Sequence, residues 1–335
     1  QLLGRKYVEK PDVPPGAATV ALQQTLSVVA ERNGASVAEL YSTVCSGPMS
    51  VVGKDDYVAL LRHMAREEGL LEQSPDGTVM LGPKGERLAA SRDFFAVFET
   101  DEEWRVVSGG KTLGSLPLIN LVKPGSFIAF AGQRWRVETV QPEGKVLEVV
   151  RDRSAKIPSF EAMGREGVSG VFAEAMREVL AGDDVPAFLD GNARQLLFEG
   201  RAAFAVNGLA DRAVWEEAGG ACLLTWGGTA ANEMLALVLM HLGYEASAED
   251  IGVLVAGVSG KEAMHALSSV AASPPAPLEV VKSLEGLSSA KYDSMVPHAV
   301  LESQWAKRNA RAYDEALAIA RRLALSSEAK PSWEL

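Results

Sequence analysis

The apolar positions of this chain recur with two different periods, and the change of period divides it. From Val20 to Glu31 the apolar residues Leu22, Leu26, Val29 and Ala30 fall on one face at helical spacing. Asn33-Gly34 is a stop signal for that helix. Ser36 followed by Glu39 is the pattern of a capping box, and Leu40, Tyr41 and Val44 are the apolar positions of a second helix. Asp55 and Asp56 suit the positive start of a third helix, whose stripe is Tyr57, Leu60, Leu61 and Met64. Two short alternating segments, Leu70–Gln73 and Thr78–Leu81, flank Pro75-Asp76-Gly77, where glycine supplies the left-handed backbone of a turn. Three helices and a hairpin in this order predict a winged helix over residues 20–93, a helix-turn-helix variant.

From Phe94 the period becomes two. Segments around Val97, Trp104–Val107, Thr112–Leu116, Ser126–Val137 (with Gly132-Gln133 as a hairpin turn) and Lys145–Val150 read as five short strands, expected to form a small antiparallel barrel or curled sheet over residues 94–157. Helical patterns return at 170–180 and 191–206. A strand at Cys222–Trp226, a Gly227-Gly228 turn and an apolar helix at Thr229–Leu242 follow, then a strand at Ile251–Val255 and a helix at Gly260–Ala272. The end, about 296–325, is amphipathic helix. The expected fold is therefore α+β and multidomain: a proline-rich linker (1–19), a winged helix, a β-barrel-like domain, and an α/β lobe over 158–335.

Composition narrows the function classes. Of 335 residues, 47% are hydrophobic and 23% charged, which is ordinary globular material. The net charge of -11 argues against an autonomous duplex-DNA binder, since phosphate contact relies on clustered lysine and arginine. Cys45 and Cys222 have no metal spacing and read as buried thiols of a cytoplasmic protein. No apolar run reaches the length of a membrane helix. The chain starts at Gln1, as expected of a piece cut from a longer protein.

Candidate chemistry is sparse. Ser108-Gly109-Gly110-Lys111-Thr112 ends like a phosphate-binding loop, but Arg105 stands where the leading glycine belongs, and strands flank it on both sides. Asp314-Glu315 imitates a metal-binding acidic pair but lies inside a helix. His63, His241, His265 and His298 are isolated, so no zinc site is expected. No nucleophile elbow is present. Catalytic and metal-ligating residues are thus expected to be absent from this segment.

The basic and aromatic residues are the better candidates. Arg134, Trp135 and Arg136 alternate on one strand, so the arginines share one side and Trp135 takes the other. If Trp135 fills the core, the arginines face phosphates; if it faces out, it can stack a base. Arg151, Arg153 and Lys156 extend this positive stretch. Trp226 and Thr229 sit at a helix start, where an aromatic ring can stack and backbone N–H groups attract phosphate; the alternative is that Trp226 packs beneath the helix. Asn232 in the same turn either joins that site or bonds to the backbone. Ser50, Lys54 and Arg62 are placed for backbone phosphates, although the acidic neighbours Asp55, Asp56, Glu67 and Glu68 equally suit a brace between domains.

Four stretches carry a family likeness. Val20–Ala30 resembles the first winged-helix segment downstream of the motor in Lhr-like helicases of superfamily 2, and Phe130–Val137 is similar to that family's Gly-x-Arg-Trp-x-Val hairpin. Thr225–Leu237 resembles its Trp-x-Gly-Thr-x-x-Asn-x-x-Leu turn, and Lys291–Leu301 its Lys-Phe/Tyr-Asp-x-x-Leu-Pro motif. The resemblance implies a C-terminal accessory region that guides single-stranded DNA or RNA in a 3′-to-5′ ATP-dependent helicase of the DNA-repair type. The partners implied are that strand and two RecA-like domains preceding Gln1, which would hold ATP and Mg2+; no cofactor is expected in this segment. Two readings of other classes stand beside it: a winged-helix regulator with a sensing domain, and a protein-docking hub.

Overall fold

The computed structural model describes residues 2–9, 18–97, 102–118, 124, 127–130, 133–141, 144–151, 167–217, 219–282, 284, 287 and 290–328. The fold is mixed α+β, with helix predominating and three separate small sheets, none closed into a barrel. The chain divides into two compact units. One joins Gln1–Phe94 to Gly167–Leu335; the other is Phe95–Glu166, inserted between them.

The first unit opens with α1 (Ala18–Arg32), α2 (Val37–Val44) and α3 (Lys54–Arg66), then the hairpin β1 (Leu71–Gln73) and β2 (Val79–Leu81), then α4 (Pro83–Ala89). The local signals act as the sequence implies. Asn33 and Gly34 take φ of 54° and 127° and end α1. Ser36 accepts from the Glu39 backbone N–H, and the Glu39 carboxylate accepts from that of Ser36, closing the capping box of α2. Leu22, Leu26, Leu40, Tyr57, Leu60 and Met64 are fully buried together. Ala30, expected on the buried face of α1, is exposed, while Gln23 and Thr25 are buried. Burying Thr25 and Tyr57 is tolerable because they bond each other: the two hydroxyls lie 2.8 Å apart, and Thr25 also donates to the Ala21 carbonyl.

This core is completed from far along the chain. Tyr292, Val296 and Val300 belong to the same apolar cluster as α1–α3. They bring α10 (His298–Arg308) onto α1 and α3. Asp56, in the first turn of α3, accepts from Ser303 at 2.9 Å and from Lys307 at 2.7 Å.

The rest of the unit is built on a four-stranded antiparallel sheet. Its strands are β8 (Val214–Glu217), β9 (Gly220–Leu224), β10 (Ala246–Ala248) and β11 (Gly252–Ala256), in the order β10-β11-β9-β8. Alternation turns Ala221, Leu223, Val253 and Val255 to one face. They form a single apolar cluster with α7 (Thr229–His241), α8 (Gly260–Ala272) and α11 (Ala310–Glu328). A short α9 (Pro277–Lys282) precedes α10. Two further helices, α5 (Gly170–Ala181) and α6 (Gly191–Val206), pair with each other; between them only Ala173 and Phe204 are buried.

The inserted unit is a five-stranded sheet of β3 (Glu102–Ser108), β4 (Lys111–Leu118), β5 (Phe127–Phe130), β6 (Gln133–Gln141) and β7 (Val146–Arg151). The order is β4-β3-β7-β6-β5, with β3 and β7 parallel and the other pairs antiparallel. Edge strands β4 and β5 are not paired with each other among the described residues, so the expected barrel is an open sheet. Trp104, Val106, Ile128, Trp135, Val137, Leu147 and Val149 make its core.

Candidate nucleic-acid interface

In the inserted unit, the register decides which side each candidate takes. Trp135 is 9% exposed and lies in the core, opposite Ile128 of β5 and Arg151 of β7. Of its two sequence readings, the structure has packing rather than stacking. Arg136 is exposed on the reverse face, opposite Val150, and its guanidinium lies 3.5 Å from the Glu138 carboxylate. The register shift between Val137 and Thr139 leaves Glu138 without a pairing partner there, as a bulge does. Arg105 of β3 is also exposed; its neighbour Val106 is buried against Leu147, so Arg105 takes the same outer face as Arg136. Arg134 pairs with Ala129 in the register, and its side chain lies outside the described ones. Arg151 is exposed at the end of β7. Arg153 and Lys156 fall outside the described residues. The result is an open sheet face offering two exposed guanidinium groups, with Glu138 and Glu148 interspersed.

The turn at 225–232 is organised differently. Trp226 is 5% exposed, its ring edge-on to Phe204 at 6.0 Å. Its indole Nε1 is buried without a hydrogen-bond partner. It holds φ of 53°, and Gly228 holds 82°. The backbone N–H groups of Thr225 and Trp226 both donate to the Ile251 carbonyl. Asn232 is fully buried; it accepts from the Thr225 hydroxyl and donates to the Glu249 carbonyl at 2.9 Å. Arg322 of α11 donates to the Thr225 carbonyl. The start of α7 is covered as well: Thr229 donates its N–H to the Val168 carbonyl at 2.8 Å, and its hydroxyl accepts the Val168 N–H at 2.9 Å. Trp226, Thr229 and Asn232 are thus occupied with holding this turn, and the open phosphate cradle expected at the α7 start is filled by the chain itself.

On α3, Lys54 and Arg62 are exposed, as a phosphate contact requires. The first turn of α3, where the expected winged helix would read base edges, is engaged through Asp56 with Ser303 and Lys307. Lys307 also donates to the Val51 carbonyl at 3.4 Å. Neither α10 contact is visible in local sequence pattern, because their partners lie about 250 residues away.

The remaining motifs resolve as structural elements. Gly109 and Gly110, with φ of 55° and 76°, form the two-residue turn of the β3–β4 hairpin. Glu315 pairs with Arg311 at 2.9 Å one turn away on α11. Among the described residues no group of three His, Cys, Asp or Glu could hold a metal ion. Neither Cys45 nor Cys222 is in a disulfide; Cys45 is buried as expected, and burial pushes its thiol up to about 11, whereas Cys222, also expected to be buried, is only half-buried. Among the described residues no helix is long and apolar enough to cross a membrane. No family model, curated protein or solved structure matches the chain.

Proposed function

We propose that this chain is the strand-guiding accessory region of an ATP-dependent helicase, with the five-stranded sheet as the surface that meets single-stranded nucleic acid. The observation that carries the reading is the outer sheet face, where Arg105 and Arg136 are exposed while Trp104 and Trp135 fill the core behind them. Two guanidinium groups on a pleated face can each take a phosphate oxygen without reading base identity. Glu138 and Glu148 hold the affinity down, while the guanidinium–phosphate contacts make it salt-sensitive. The four segments similar to Lhr-like helicases supply the class of parent protein, whose RecA-like domains would bind ATP and Mg2+.

In this reading α1–α3 with β1–β2 is a winged helix that acts as a brace. A groove-reading role requires a free first turn on α3, and Asp56 is held there by Ser303 and Lys307. Lys54 and Arg62 remain available for phosphates at its margin.

Fluorescence anisotropy with a labelled 20-nucleotide single strand, DNA or RNA, tests the proposal. The expected result is weak, salt-sensitive binding, a weaker complex for Arg136→Glu, and a salt slope reduced by roughly 0.7 per lost phosphate contact on a single strand. Binding unchanged by both Arg136→Glu and Arg105→Glu would remove the sheet face from the strand path. Phosphate release with strand present is expected to stay at background, including in Lys111→Ala.

A further inference from the structure

We infer that two of the motifs singled out above are anchors for the inserted unit: Lys291-Tyr292 holds the point where the chain leaves for it, and Gly227-Gly228-Thr229 holds the point where the chain returns. The inference concerns residues on the larger unit and does not depend on the strand-binding reading.

The departure point is Phe94. Exposure changes there within one residue, from 4% at Phe94 to 81% at Phe95. The Phe94 carbonyl accepts from two side chains brought from opposite ends of the sequence, Gln23 Nε2 and Tyr292 Oη, each at 3.4 Å. A carbonyl has two lone pairs, so both can be satisfied at once. One residue earlier, the Asp93 carbonyl accepts from Lys291 Nζ. The holder is itself held, because the Tyr292 N–H donates to the Thr19 hydroxyl of α1 at 3.1 Å. Gln23, Thr19 and Tyr292 are all at most 5% exposed, so water competes little for these bonds.

The return point is Gly167–Gly170. Val168 exchanges two hydrogen bonds with Thr229, one to its backbone and one to its hydroxyl. The two segments touch backbone to backbone, and glycines make this possible. A Cβ on Gly228 would lie 2.5 Å from the Gly170 nitrogen and 2.6 Å from the Val168 oxygen. A Cβ on Gly170 would lie 2.8 Å from the Gly227 oxygen. Side chains at either position would push the returning strand away from α7.

On the first unit, the last residues before Phe95 and the first residues after Glu166 are therefore each held by specific polar contacts, to α1 and the 291–292 segment on one side and to α7 on the other. Lys291-Tyr292 and Gly227-Gly228-Thr229 are positioning residues in this sense.

Amide hydrogen exchange on the whole chain, read by mass spectrometry, tests the inference. Tyr292→Phe removes one donor and keeps the buried ring; Thr229→Val removes one acceptor and keeps the shape. Losing one such bond raises local opening by about threefold to tenfold. Tyr292→Phe is expected to speed exchange by that factor in peptides covering 91–97 and to leave 167–172 unchanged. Thr229→Val is expected to do the reverse. Peptides from the middle of α7 and from the α1–α3 core serve as controls and should hold their rates. Unchanged junction peptides would overturn the inference. So would acceleration shared equally by the controls, because that reports general destabilisation rather than an anchor. Strand anisotropy on the same variants keeps this result separate, since loss or absence of binding leaves the exchange pattern untouched.

Discussion

Replacing Trp226 by alanine separates a stacking residue from a packing one, and the structure sets the size of the effect. A tryptophan side chain covers about 150–250 Å², worth roughly 4–6 kcal/mol at the usual transfer coefficient. Truncations of buried aromatics cost about 3–5 kcal/mol. Two local features modify that figure. The indole N–H is already buried without a partner, and removing it recovers about 1–3 kcal/mol. The left-handed backbone at φ of 53° is strained for tryptophan and for alanine alike, so it cancels. The net expectation is a loss of about 2 kcal/mol. For a domain of this size that corresponds to a fall in Tm of roughly 4–8 °C. Thermal and urea melts followed by circular dichroism measure it. Strand affinity, measured below the melting range, should stay within about twofold, whereas a stacked base is worth about 1–3 kcal/mol. An affinity loss above about fivefold with Tm held constant would refute the reasoning and return Trp226 to the strand path.

Two further outcomes follow from the same turn and from the helix caps. Gly227→Ala places a Cβ 2.2 Å from Ile319 Cδ1, so it should cost about 1–3 kcal/mol. Ile319→Val removes that methyl group, and the double variant should be more stable than the sum of the singles in urea melts; simple additivity would show that the clash is relieved elsewhere. Glu39 and Glu262 are held below the ordinary carboxyl range by the backbone N–H groups of Ser36 and Ser259, then by the serine hydroxyls. A depressed carboxyl contributes stability above its unfolded pKa and loses it as pH falls through the folded one. The difference in urea midpoint between the parent and Glu39→Ala or Glu262→Ala should therefore be full at neutral pH and shrink below about pH 4.5. A difference that persists unchanged at pH 2 would show that the charge is not its source.

What was legible in the sequence was local. The capping box at Ser36 and Glu39, the glycine turns and the alternation of Trp135 and Arg136 are each set by residues within a few positions, and each reads directly. The stripe Tyr57, Leu60, Leu61 and Met64 is buried as its spacing implies. Ala30 is exposed despite its spacing, because spacing marks a face but not how far along the helix a neighbour extends. The short edge strands β8 and β10 have no clear sequence signal, since segments of three or four residues carry little period. The partners of α3 could not be read at all: Ser303 and Lys307 meet Asp56 only after the chain has folded back. Trp226 shows the same limit. Its neighbours describe a helix start, which is equally a ligand site or a packed turn. The buried pair of Thr225 and Asn232 decides between them, and a polar pair seven residues apart has no one-dimensional signature.

The α10 contact also bears on the order in which the molecule can be made. Synthesis delivers α1, α2, α3 and the β1–β2 hairpin first, but Tyr292, Val296 and Val300 complete their core. The roughly 200 residues from Phe94 to Val300 take on the order of 10–40 s to translate at ordinary elongation rates. For that interval the α1–α3 surface that later receives these residues faces water, while the whole inserted sheet emerges and can close on its own core. The nascent chain is thus expected to ripen from the middle outward, with its first-made helices among the last to reach their final packing.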